Sequence, residues 1–475
     1  MSSTNKTDTS DNQPLDKSLE KSNKTNEFGT QPLAKLLSKQ AIPASIGILV
    51  MAIYGIVDTI FVGHWVGKYA IGAITVVMPI QFLMSSVGMA IGVGGSSIIS
   101  RAFGEGKQEK ANHTFANMVS LTVAFALLFY IGGSLYMEEI LLLFGTAGNI
   151  TAPATAYFDI LLYGVPFLTI AMMTNSVIRA EGYPKISMIV LIIPAVINVV
   201  LDPILIVYFD MGIEGAAWAT TVSFIACALY TIVFFFSTRS KLNFKAKQMI
   251  WKAKIIQEIG SIGSITLVRQ GAISILAIVL NNSLVEYGGD IALSVYGIVN
   301  RIAMFAFFPI LGVTQGFLPI VGFNYGAKLF QRVSDIISLS IKWATIMAFI
   351  IFVLIMIFTE YIVMIFTADT SLIEGATFAM RWIFAATPLV AINMLMSGYY
   401  QAVGKVMPAL FLSLSKQIIF LVPLVLILPL FWGLDGIWYS FVFADVFTAL
   451  VSYYFYRVVK QKIADNLAKR SLTQA

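Results

Sequence analysis

The chain has 475 residues, 58% of them hydrophobic and 12% charged, with a mean hydropathy of +0.83 and a net charge of +6. A soluble domain carries about twice that share of charge, so a cytosolic enzyme and a disordered scaffold are both excluded, and lipid must solvate much of the apolar surface. The single cysteine, Cys227, lies in an apolar run and excludes an intramolecular disulfide or a zinc cluster.

Residues 1–30 are rich in Ser, Thr, Asn, Lys and Asp and hold no apolar stretch. They read as a disordered tail, not as a cleavable signal. Long apolar runs follow. Uncharged ones cover 69–100, 114–137, 160–178, 215–238, 343–359 and 382–404. Six more carry one charge each: 40–67 (Asp58), 186–209 (Asp202), 255–287 (Arg269), 291–327 (Arg301), 406–434 (Lys416) and 436–456 (Asp445). A membrane helix needs about 20 apolar residues, whereas barrel strands run to about ten and alternate. The pattern therefore predicts an all-α membrane protein with 12 transmembrane helices. It divides into a first lobe over 31–237, a linker over 238–254, a second lobe over 255–457 and a tail over 458–475.

The connecting loops alternate in charge. Segment 237–254 holds Arg239, Lys241, Lys245, Lys247, Lys252 and Lys254 without an acid. Arg101, Lys107, Lys110, Arg179, Lys185, Lys328, Arg332 and Lys405 share its side, as does the basic C-terminal tail. The intervening loops carry Glu138, Glu139, Asp210, Glu214, Glu286, Asp290, Asp369, Glu374 and Asp435, with Lys68 as an exception. The positive-inside rule makes the basic side cytoplasmic and puts both termini there. The +6 is then an orientation signal and points to no nucleic-acid partner.

The chain repeats itself. A shift of 222 residues brings Gly67 onto Gly289, Gly94 onto Gly316, Gly104 onto Gly326, Pro166 onto Pro388 and Gly182 onto Gly404. Near the end the shift becomes 221, where Gly212 and Gly215 meet Gly433 and Gly436. Each repeat holds an even number of spans, so the two are parallel and related by an axis along the membrane normal. Such repeats place substrate at their interface, which favours a secondary transporter. No P-loop pattern and no HExxH pattern occurs, and His64 and His113 are the only histidines. A built-in ATPase and a membrane enzyme are therefore not expected.

Charges at membrane depth are costly and mark function by default. Asp58 sits in span 1 with Tyr54 four residues earlier on the same face. Asp202 sits in span 5 with Asn198 on its face, and Pro203 removes a backbone donor behind it. Together they form a candidate hard-oxygen site for a cation or proton. The competing reading is that both carboxylates lie near the outer ends of their spans and are merely hydrated. The second repeat has Leu280 and Leu424 at the equivalent positions. Its own intramembrane charges are Arg269, Arg301, Lys416 and Asp445. A Lys416–Asp445 ion pair between neighbouring helices is expected, and Arg269 with Gln270 is a candidate cavity lining.

At VDTIFVG (57–63), RAEGYP (179–184), NVVLDP (198–203) and GIEGAAWATT (212–221), the chain resembles the multidrug and toxic compound extrusion family. The resemblance covers about residues 33–460 and is nearest to the bacterial DinF-like and MepA-like branch. It implies twelve helices in two pseudo-symmetric six-helix lobes. It also implies a cation-coupled antiporter that exports lipophilic, often cationic compounds by rocking of the lobes. By that resemblance Asp58, Asn198, Asp202 and Thr220 form the coupling site, where oxygen ligands suit H⁺ or Na⁺ alike. Tyr54, Asp58 and Asn175 fall in the substrate pocket, and Pro43 is the span 1 hinge. Acidic residues found in spans 7 and 10 of one branch are replaced here by Arg269, Gln270 and Asn393. No cofactor beyond the coupling ion is expected. A monomer in the bacterial inner membrane is expected, with small molecules and lipid as its partners. The alternative is a lipid-linked oligosaccharide flippase of related two-lobe fold, whose pyrophosphate would require basic cavity residues such as Arg269, Arg301 and Lys416.

Overall fold

The computed structural model describes residues 25–242 and 251–474, all helix and connecting turns, with no strand among the described residues. In the first half, spans 1 to 4 are Leu33–Trp65, Lys68–Gly104, Gln108–Leu135 and Thr151–Ala180. Span 5 is Pro184–Asp202, prolonged by a π-helical turn over Pro203–Tyr208, and span 6 is Gly212–Phe236.

The second half begins with one helix, Ala253–Ala306, of 54 residues. At 1.5 Å per residue it measures about 80 Å, far beyond the ~30 Å of a bilayer core. Gly289, at φ +62°, breaks it into span 7 and the start of span 8, which continues through Phe308–Gly326. Span 9 is Phe330–Met364. Span 10 is the pair Thr370–Phe384 and Thr387–Ala402, bent by 50°. Span 11 joins Val406–Leu414 to Val422–Ile427 through a π-helical turn, Ser415–Leu421. Span 12 follows the break at Gly433, φ +54°, within Pro429–Gln474. The backbone repeats as the sequence does: Gly67 and Gly212 of the first half, the mates of Gly289 and Gly433, have φ +106° and +56°. Only glycine takes such angles without strain.

Even side-chain bonds recur. Asn175 Nδ2 donates to the Ser187 carbonyl at 2.7 Å, and 222 residues on Ser397 Oγ donates to the Ala409 carbonyl at 3.3 Å. Each joins spans 4 and 5, or 10 and 11, of its own repeat.

Among the described residues the buried apolar side chains form one shared core, two large separate ones and a small fourth cluster around Ile178, Val190 and Cys227 in the first half. The shared core draws on both halves, from Ile98 and Met173 to Ile262, Phe317 and Leu395, and lies toward the ends that carry the basic loops. Toward the other ends, Val62, Phe158 and Phe224 belong to a core of the first lobe alone. Leu280, Phe384 and Trp438 belong to one of the second lobe alone. The two lobes are therefore packed together at the basic end and have independent cores at the acidic end.

Backbones nearly touch at the packed end. A Cβ added to Gly104 would lie 2.0 Å from the Phe323 oxygen, and one on Gly326 would lie 2.1 Å from the Arg101 oxygen. These two glycines are repeat mates and let spans 2 and 8 cross without side chains between them. Polar groups close the same seam. Arg101 pairs with Glu258 at 2.9 Å, and the Ser97 hydroxyl lies 2.9 and 3.0 Å from the Gln401 and Ala402 carbonyls.

Two expected boundaries move. The N-terminal tail was expected to reach residue 30, but 25–30 form a helical turn. Phe28 is buried there, and its carbonyl accepts from Asn324 Nδ2 at 2.9 Å and Arg332 at 3.1 Å. A buried aromatic outweighs the polar composition around it. Residues 1–24, the rest of that tail, lie outside the described residues, as do 243–250 of the linker. The expected C-terminal tail instead prolongs span 12. Val459 and Ile463 enter the shared core, and Lys460 Nζ donates to Ser334 Oγ at 2.6 Å.

Candidate functional site

Span 1 has exposed apolar residues on much of its surface but turns Tyr54, Asp58 and Val62 inward at steps of four, one face of a helix. Span 5 ends its regular turns at Asp202. Pro203 lacks a backbone donor, and the following π turn widens the ladder there. Asn198 sits one turn earlier on the same face. Span 6 brings Thr220 opposite it, and Asn198 Nδ2 donates to Thr220 Oγ1 at 3.2 Å.

These elements converge in the first lobe. The Asp58 carboxyl meets the side chains of Asp202 and Asn198. The hydroxyls of Tyr54 and Tyr157 meet Thr220. Asp58 is 8% exposed, Asp202 2% and Asn198 0%, which rules out the reading that the carboxylates are merely hydrated. Neither pairs with a Lys or Arg among the described residues. Three oxygens, Asp58 Oδ1, Asp202 Oδ1 and Asn198 Oδ1, are buried without a hydrogen-bond donor. Buried acceptors are normally satisfied, so three orphans in one cluster call for a donor or a cation. Two adjacent carboxylates sharpen that demand, because both cannot stay charged cheaply away from water.

Tyr157 was not among the residues singled out from the sequence. The uncharged run of span 4 starts after Asp159, whereas the helix starts at Thr151. Asp159 is exposed and costs little there, so the added turns carry Tyr157 into the site. Its position beside Asp58 is visible only in the packed bundle.

Asn175 lies elsewhere. It is 18 residues beyond Tyr157 on the same helix, about 27 Å along the axis. Its amide is committed to the Ser187 carbonyl and its oxygen accepts from Arg179 at 3.0 Å. The structure thus separates it from Tyr54 and Asp58, with which it was grouped. Pro43 is buried inside span 1, which runs unbroken from Leu33 to Trp65.

The second lobe has no counterpart. Leu280 is fully buried in that lobe's apolar core. Asn393 ties spans 10, 11 and 12 together by donating to the Leu412 carbonyl at 3.0 Å and to Ser452 Oγ at 3.1 Å. Lys416 and Asp445 form the expected ion pair at 2.6 Å. Arg301 is exposed on span 8, and Arg269 with Gln270 lies in the middle of span 7. No group of three or more His, Cys, Asp or Glu side chains suited to a bound metal occurs among the described residues.

Comparison with known proteins matches both the repeat and the fold. The MatE family model matches residues 43–204 and again 266–427. The chain is 29% identical over 417 residues to the multidrug export protein MepA of Staphylococcus aureus strain NCTC 8325 / PS 47, covering 87% of this chain and 91% of that one. Two solved structures share its fold at 23% identity and a TM-score of 0.87, each covering 94% of this chain and 99% of its own. One is an outward-facing multidrug resistance MATE family transporter of the MOP superfamily, and the other is MATE in the straight conformation. With two copies of the family's module spanning most of its length, arranged as twelve helices in two pseudo-symmetric lobes, this chain belongs to the MatE family of multidrug and toxic compound extrusion transporters.

Proposed function

We propose that the chain exports lipophilic, often cationic compounds in exchange for an inward-moving H⁺ or Na⁺. The observation that carries this reading is the buried cluster of Asp58, Asp202 and Asn198 with its three unpartnered oxygens. A proton on one carboxyl supplies the missing donor. A sodium ion takes the same oxygens as ligands, since hard cations prefer oxygen. Either relieves the repulsion between the carboxylates, and its loss restores it. The ion's presence or absence is therefore worth enough to bias how spans 1, 5 and 6 pack.

The lobes supply the movement. Packed at the basic end and separate at the other, they present the cleft of an outward-open state if the basic end is cytoplasmic, as the loop charges indicate. Parting the seam at Gly104 and Gly326 and closing the acidic ends gives the opposite state. The export named for the relatives supports drug-like compounds as substrates. The ion pair between Lys416 and Asp445 removes one of the three basic groups on which a pyrophosphate-binding flippase would rely.

Dye export, read as dye uptake into everted vesicles, tests this reading, with the Na⁺ and proton gradients collapsed separately. Collapse of one gradient is expected to stop efflux. Asp58→Asn, at equal abundance in the membrane, is expected to abolish it and to return a drug-sensitive host to the susceptibility of the empty vector. Efflux indifferent to both gradients, or retained in Asp58→Asn, rejects the coupling site.

A further inference from the structure

The seam between the lobes holds a second polar site, far from Asp58. A cavity there is lined by spans 2, 4, 8 and 10. Its lining residues come in pairs 222 apart: Val93 with Gln315, Ser97 with Pro319, and Arg179 with Gln401. The cavity therefore straddles the pseudo-twofold axis. It is symmetric in backbone but not in charge, because one repeat contributes Arg179 where the other has Gln401.

Arg179 is 5% exposed and has no carboxylate partner among the described residues. Its three bonds go to neutral acceptors: Gln315 Oε1 at 2.9 Å, Asn175 Oδ1 at 3.0 Å and Ser187 Oγ at 3.1 Å. A guanidinium has five N–H donors. Nε is left buried and unpartnered. The nearby acids are already engaged. Glu181 binds Ser240 and the backbone of residues 241 and 242, and Glu258 binds Arg101. Other polar side chains line the cavity: Ser100, Ser176 and Gln315, whose amide oxygen is used by Arg179.

A buried charge without a counter-charge is costly, and no protein group among the described residues supplies one here. The cavity gives the centre of a water-sized guest about 20 Å³ of room. One water needs about 10–15 Å³ on that measure, so the cavity has room for a monatomic ion. We propose that Arg179, with Ser100, Ser176 and Gln315, binds one chloride ion on the pseudo-twofold axis, where it bridges the two lobes and stabilises the packed basic end.

The site is tested on the purified full-length protein with chloride, bromide and gluconate. Chloride is expected to raise the melting temperature saturably over gluconate, by about 3 °C at a hundredfold excess over its dissociation constant. Arg179→Gln is expected to lose that increment, while Arg301→Gln, an exposed arginine, keeps it. Bromide-soaked crystals of the wild type are expected to give an anomalous peak beside Arg179 Nε, which holds even if Arg179→Gln fails to fold. Equal melting temperatures in chloride and gluconate, or water only in the cavity of bromide-soaked crystals, overturn the proposal.

Discussion

Glu181 shows how one carboxylate can fasten a segment between lobes. It caps span 4 and is fully buried, and burial pushes its carboxyl up to about 7. The backbone amides of Lys241 and Leu242 donate to it at 2.7 and 3.0 Å, and the Ser240 hydroxyl lies 3.0 Å from each of its oxygens. These bonds hold the start of the inter-lobe linker against the first lobe. Because its folded value lies above the unfolded 4.5, the folded state holds the extra proton between about pH 4.5 and 7. Stability from this group is thus full below 4.5 and is lost as pH rises through 7. Thermal unfolding of the wild type should fall across that window. Glu181→Gln should flatten the fall, with a gain on the order of 3 kcal/mol at pH 8. An unchanged slope in the variant would assign the pH dependence to another group. The residue scale also divides what spacing can reveal. Asp58, Asn198 and Asp202 were legible as polar groups on apolar helices, Thr220 only through the family resemblance, and the four do meet. Tyr157 was not legible, since a charge at Asp159 truncated its apolar run, and Asn175 was assigned to a pocket about five turns away.

At the scale of elements, the second lobe shows how a duplicated scaffold tolerates charge without using it for coupling. Lys416 lies in the π-helical turn of span 11 and reaches Asp445 on span 12. Asp445 is 4% exposed, so removing its partner strands a buried anion. Lys416→Met alone should cost about 3–5 kcal/mol in unfolding experiments, and adding Asp445→Leu should recover most of it. If the double variant is no more stable than the single one, the pair does more than neutralise itself. Helix boundaries obey a different logic from helix identity. Every apolar run became a helix, since backbone groups in lipid must bond internally. Where the helices break was legible only where glycine marked it, at Gly289 and Gly433. The π turn after Asp202 is marked by Pro203, whereas the one around Lys416 begins at Ser415 with no proline or glycine and depends on how neighbouring helices pack.

The whole molecule is a pair of lobes whose contact is confined to one end, and its proposed action depends on that contact being reversible. Ser97 in span 2 reaches the span 10 carbonyls of Gln401 and Ala402 across the seam. In a Cys227→Ala background, Ser97→Cys with Ala402→Cys should crosslink with a short thiol-specific bifunctional reagent. Dye efflux should then stop until a cleavable linker is reduced. Continued efflux from fully crosslinked protein would show that the seam need not open. The sequence by itself determined the membrane class, the number of spans and the duplication, and it singled out Asp58, Asn198 and Asp202 as a candidate first-lobe site. Each of these rests on composition, periodicity or a matched spacing, all of which are local or translational properties of the chain. Only the tertiary structure decided that the acids lose their water, that Tyr157 joins them, and that the lobes share a core at one end alone. Only it placed Arg179 opposite its symmetry mate Gln401 in a common cavity. Burial and axial juxtaposition depend on which helix faces which, and that is fixed by packing across segments hundreds of residues apart.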